Sequence, residues 1–165
     1  MGLSNLGIFH TAIGITAIVA AVTAFIKSGK IDLRKLPGKI YFYFTLVTSL
    51  TALGLSSVKG VNPGHILSLL IIVLITVAYF LSAKRQGNNS ARYVENFLLS
   101  FSFFLSMLPT VNETFTRIPV AHPLAHGPND PLIGKTILLL FIMLIAGSVL
   151  QFRKQREINR VIQQG

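Results

Sequence analysis

"LGIFHTAIGITAIVAAVTAFI", residues 6–26, holds no Lys, Arg, Asp or Glu and a single histidine, His10. A helix crossing bilayer hydrocarbon needs roughly 20 mostly apolar residues, because its backbone polar groups must all be satisfied within the segment. The run meets that length. Working outward, residues 40–58 and 66–83 form two more apolar stretches, with Pro63-Gly64 between them. Residues 96–111 and 131–152 add a fourth and a fifth. The fourth contains Pro109, and the fifth carries Lys135 near its start, where a long ammonium side chain can reach the interface. The expected fold is an all-α integral membrane helical bundle, one transmembrane domain over residues 1–165 with five transmembrane helices, or four plus a re-entrant or interfacial segment. An outer loop is expected at 112–130 and a basic cytoplasmic tail at 153–165.

Bulk composition agrees. The chain is 52% hydrophobic and only 12% charged, with a mean hydropathy of +0.64, too apolar for the surface of a soluble domain. Fifteen Lys and Arg face five Asp and Glu. A nucleic-acid binder gathers such an excess on one face of a soluble fold. Here it is dealt out between apolar runs, so no nucleic-acid partner is expected and the lipid bilayer is. With no cysteine, disulfides, thiolate metal sites and cysteine nucleophiles are excluded.

The placement of the basic residues sets an orientation, since cytoplasmic loops carry the excess. Lys27, Lys30, Arg34, Lys35 and Lys39 follow the first run; Lys84, Arg85 and Arg92 follow the third; Arg153, Lys154, Arg156 and Arg160 follow the fifth. The alternate connections hold Lys59 and Arg117 alone. Strict alternation requires an odd number of crossings, with the N-terminus outside and the tail inside. Tyr41, Tyr43, Tyr79 and Tyr93 all fall at the ends assigned to the cytoplasm, where an amphipathic ring suits the headgroup layer. The first run lacks the basic lead-in of a signal peptide and is longer than its apolar core; it reads as a retained span. Leu6 stands where a myristoylation signal needs Ser or Thr.

On this topology the segment "MLPTVNETFTRIPVAHPLAH", residues 107–126, becomes part of the outer loop, and every histidine lands outside: His10, His65, His122 and His126. Imidazoles with Glu113 nearby would suit a single outer-face metal or haem. The bland alternative is that loop histidines are solvated and His10 hydrogen-bonds a neighbouring helix. His122 and His126 have the spacing that aims two ligands from a helix, but they lack the intervening Glu of the zinc-protease motif, and Pro119, Pro123, Pro128 and Pro131 argue for an extended segment. Gly134-Lys135-Thr136 lacks the earlier glycine of a phosphate-binding loop, whose place Asn129 takes.

Helix packing is written in small residues. His10, Gly14, Ala17, Ala21 and Ala24 form one stripe, and Thr45, Ser49, Ala52 and Ser56 a second. Ser102, Ser106 and Thr110 continue it on the fourth run, then Glu113 and Arg117 if the helix survives Pro109. Small side chains at helical period let neighbouring helices approach closely, although Ser and Thr mostly bond their own backbone. A tight bundle of the first, second and fourth helices is expected. Glu113 and Arg117, four apart, are expected to form a structural ion pair.

Two stretches, "FHTAIGITAIVAAVTAFIKSGK" (residues 9–30) and "RKLPGKIYFYFTLVTSLTAL" (residues 34–53), give the chain a resemblance to a bacterial family of multi-spanning membrane proteins, the domain of unknown function 2306 type. The resemblance rests on a first helix with histidine near its start, a basic glycine-containing loop and an aromatic-led second helix. It implies a multi-pass protein of the bacterial inner membrane and no established activity. Where the family has a histidine four residues before the loop glycine, this chain has Arg34, so a two-histidine chemistry is not carried over.

Three function classes follow. The favoured one is an accessory or structural bundle protein, with no enzymatic activity expected, whose outer loop docks a membrane-protein partner or a second copy. The others are a metal- or haem-binding redox or metal-handling protein built on the outer histidines, and a small oligomeric transporter or channel subunit.

Overall fold

The computed structural model describes residues 4–55, 62–83 and 89–164; the expectations resting on Ser56, Val58, Lys59, Lys84 and Arg85 lie outside the described residues. The chain forms α1 (Asn5–Ser28), α2 (Leu36–Leu55), α3 (Pro63–Ala83), α4 (Asn89–Arg117) and α5 (Pro131–Gln164). It is an all-helical bundle, and α1, α3, α4 and α5 are each long and apolar enough to cross a membrane.

Local chemistry sets the ends. Ser4 Oγ accepts from the Gly7 amide at 3.1 Å and opens α1. Gly29, at φ 69°, closes it in the left-handed conformation, its amide donating to Phe25 O at 2.8 Å. The turn that follows requires a second glycine, because a Cβ on Gly38 would stand 2.1 Å from the Asp32 carbonyl oxygen. At α3, Asn62 Oδ1 accepts from the His65 amide (3.1 Å) and the Asn62 amide donates to His65 Nδ1 (3.3 Å). This is a reciprocal cap in which imidazole takes the place usually held by Glu or Gln.

The bundle is inside-out by soluble standards. On α1 the buried residues are Gly7, Ala17, Ala20, Ala21 and Ala24, while Ile15, Val19, Val22 and Ile26 are exposed. Lipid solvates large aliphatic side chains as well as another helix does, so small residues line the helix contacts instead. Consecutive helices make the closest approaches, and paired ends fix their antiparallel sense: His10 of α1 meets Thr51 of α2, and Phe42 of α2 stacks on Tyr79 of α3 with ring centroids 5.0 Å apart. The expected grouping of α1, α2 and α4 appears as longer side-chain reaches, Phe25 edge-on to Phe103 and Tyr41 to Ser102.

Several features differ from the expectation. α4 continues through Pro109 to Arg117, so the loop expected at 112–130 is 118–130. The helix persists although Pro109 offers no amide to the carbonyl one turn back; the neighbouring Ser106 and Thr110 hydroxyls bond the carbonyls of Ser102 and Ser106. The basic segment after residue 152 is no separate tail, because α5 runs for 34 residues. At 1.5 Å per residue that is about 51 Å, well beyond the ~30 Å hydrocarbon thickness. Tyr41, expected at a headgroup layer, is fully buried. Ser102 Oγ gives its proton to Leu99 O (2.9 Å), so the Tyr41 hydroxyl donates to Ser102 at 2.8 Å.

Candidate functional site

The most developed polar arrangement lies at the basic end, between α4 and α5. On α4, Arg92, Asn96 and Ser100 recur every fourth residue; on α5, Gln151, Gln155 and Asn159 do the same. Both sets therefore form stripes on one helix face, and the stripes mesh in antiparallel register. Arg92 Nη1 donates to Asn159 Oδ1 (3.3 Å), Asn96 Nδ2 to Gln155 Oε1 (3.4 Å) and Ser100 Oγ to Gln151 Oε1 (3.1 Å). Gln155 Nε2 links two rungs by donating to Asn159 Oδ1 at 2.9 Å. Asn96, Ser100, Gln155 and Asn159 are all buried.

Groups that can only donate or only accept orient every amide in this zipper. Lys30 Nζ donates to Gln155 Oε1 (3.1 Å), which makes that atom the oxygen and obliges Asn96 to present Nδ2 to it. Arg92 likewise fixes Asn159 Oδ1. The Gly29 carbonyl accepts from Gln151 Nε2 at 3.0 Å, so Gln151 Oε1 is left to receive Ser100. The zipper thus fastens α5 to α4 and to the α1–α2 turn together. Its amides and hydroxyl are neutral, and the arrangement holds the helices in register.

Two acids stand beside it. Asp32 is buried and receives Arg34 Nε (3.1 Å), Arg34 Nη2 (3.0 Å) and the Arg34 amide (3.0 Å). That hydrogen bonding, opposed by partial burial and aided by the charges of Asp32 and Glu95, pushes the Arg34 guanidinium above its ordinary value. Glu95 is fully buried. None of these residues was singled out from the sequence as a site, although two ladders of polar residues at a spacing of four were there to be seen.

The opposite end of the bundle is arranged differently. His10 Nδ1 lies 3.0 Å from Thr51 Oγ1. The Thr51 hydroxyl gives its proton to Thr48 O (2.9 Å), so His10 is the donor. His65 belongs to the α3 cap, while His122 and His126 are exposed on the 118–130 loop. The four imidazoles share an end of the bundle, but among the described residues no three His, Cys, Asp or Glu side chains gather where a metal could be held. The expected metal set of His10, His65, His122, His126 and Glu113 is therefore not assembled. Hydrogen bonding within α1–α2 and at the α3 cap claims the first two, and Glu113 is engaged by Arg117, whose Nε stands 2.7 Å from Oε2. That pair is largely exposed and worth under about 1 kcal/mol.

Of the packing stripe, Ala17 and Ala21 are buried, and a Cβ on Gly14 would stand 3.4 Å from Thr48 Cγ2, in contact with α2. Ser102 is fully buried and Ser106 half-buried.

The 118–130 loop is anchored at several points. The Ala125 amide donates to Phe115 O at 2.9 Å, and Ala125 packs with Val111 and Ile133 in a small core of its own. Asp130 Oδ1 accepts from the Leu132 amide (2.9 Å) and Oδ2 from the His126 amide (3.1 Å), capping α5 ahead of Pro131. These two amides, Leu132 foremost, hold the Asp130 carboxyl below its usual value. Comparison with family models, with curated proteins and with solved structures finds no match.

Proposed function

We propose that this chain is an accessory bundle protein of the bacterial inner membrane whose 118–130 loop docks a partner protein on the outer side. The observation that carries the reading is the combination of a fastened backbone with outward apolar side chains. Ile118 is 56% exposed, Val120 92% and Leu124 53%, on a loop tied down by Ala125 and Asp130. Apolar groups held rigidly towards water favour association, because little ordering entropy remains to be lost.

In this reading α2 is the fifth crossing. Its 20 residues span about 30 Å, and its pairing with α1 at one end and α3 at the other returns the chain across the same thickness. The basic end, with the zipper, faces the cytoplasm by the distribution of Lys and Arg. The bacterial assignment rests on the resemblance of residues 9–53.

A photo-reactive residue replacing Val120 tests the docking role in native membranes. The expected result is a discrete protein adduct that disappears when Leu124→Asp is added. Adducts with lipid alone would remove the proposal.

A further inference from the structure

A crevice of about 320 Å³ opens between α4 and α5 beside the zipper, lined by Tyr93, Val94, Asn96, Phe97, Gln151 and Phe152, with Ser148 at its deeper end. Its exposed walls are mainly apolar, with Tyr93 stacking on Phe152, centroids 4.6 Å apart. Val94, Phe97 and Phe152 are about half exposed, so it faces the lipid side of the bundle. The volume is at the bottom of the range for small-ligand sites, enough for one slender chain.

Polar atoms beside this crevice specify more. Asn96 is 4% exposed, and its Oδ1 has no hydrogen-bond partner. Since Lys30 and Gln155 fix the orientation of that amide, the free atom is an acceptor and calls for a donor. One turn nearer the basic end, Arg92 Nε and Asn159 Nδ2 are buried donors without an acceptor, on residues already joined to each other. Arg156 follows Phe152 by four residues, on the same face of α5, and is exposed. From the basic end inward, the order of requirements is an anion, then a hydrogen-bond donor, then an apolar chain.

We infer that the α4–α5 crevice is a binding site for an anionic single-chain lipid of the leaflet on the basic side. The phosphate meets Arg92 and Arg156, the free glycerol hydroxyl donates to Asn96 Oδ1, and the acyl chain lies between Phe97 and Phe152. A diacyl lipid offers only ester oxygens at the depth of Asn96, which cannot donate. Basic pockets between membrane helices at the headgroup level favour anionic lipids in general. The crevice is already open on its lipid side, at half-exposed Val94, Phe97 and Phe152, so the chain can enter without breaking the zipper.

The chain contains no tryptophan, so Phe97→Trp supplies a single reporter in the crevice and Val73→Trp, on an exposed position of α3, a control. Detergent-solubilised protein is titrated with three lipids carrying brominated chains: lysophosphatidylglycerol, lysophosphatidylcholine and diacyl phosphatidylglycerol. The Phe97→Trp reporter is expected to be quenched at about fivefold lower concentrations of the first than of the second for each arginine engaged, and also at lower concentrations than of the third. Arg156→Gln, outside the zipper, should cost about fivefold of the headgroup preference, and Asn96→Leu should abolish the preference over the diacyl lipid. The Val73→Trp control should respond to all three alike and shows that each variant is folded. Equal quenching of Phe97→Trp by the three lipids, or a headgroup preference unchanged in Arg156→Gln, would overturn the assignment.

Discussion

α4 and α5 are joined twice, and by opposite means. At the basic end they are held by a buried ladder of amides, a hydroxyl and an arginine; at the opposite end, by Val111, Ala125 and Ile133 packed beneath a loop. The difference follows from the solvent. The ladder runs from the end of the apolar stretch into the headgroup layer, where directional hydrogen bonds rather than apolar burial set register. Beneath the 118–130 loop, beyond the other end of the apolar stretch, apolar burial stabilises the fold.

The contrast yields four predictions, the substitutions taken in order of decreasing size. Ile133→Ala leaves a cavity in a small core and is expected to cost about 2 kcal/mol. Hydrogen exchange should show loop 118–130 losing protection while the zipper keeps it. Acid should do the same through Asp130. Its folded value is lowered, so the ordering it gives is complete above its unfolded value, roughly pH 4, and disappears as pH falls through the lower folded value. Gln155→Leu removes the acceptor of Lys30 and Asn96 and the donor to Asn159. A loss of about 1–2 kcal/mol is expected in denaturant titration in micelles, with protection lost at the basic end and retained in the loop. Glu113→Gln breaks only an exposed pair, and a change under about 0.5 kcal/mol should leave both ends alike.

How far the sequence led depended on the physics of each part. Five helices, their order and the small-residue face of α1 were legible because length, hydropathy and a period of three to four residues are local properties. The continuation of α4 past Pro109 was open, since proline removes one backbone hydrogen bond and packing of the whole helix decides whether that is tolerated. Grouping the histidines by compartment placed them at one end, yet sharing an end does not make a site: His10 and His65 went to packing and capping. The zipper was missed because Gln151, Gln155 and Asn159 straddle the assigned end of the fifth span, where the stretch was divided into an apolar helix and a basic tail. A polar stripe becomes visible only when the helix is continued through that boundary and set against Arg92, Asn96 and Ser100.

The contrast between two unlike ends has meaning only if the bilayer lies between them, and the cysteine-free chain makes that directly measurable. Ser90→Cys, exposed at the basic end, and Gly127→Cys, where an added Cβ meets nothing within 4 Å, are probed with a membrane-impermeant maleimide in sealed vesicles of known sidedness. Labelling of the two positions from opposite sides is the predicted result. Labelling of both from the same side would contradict the account.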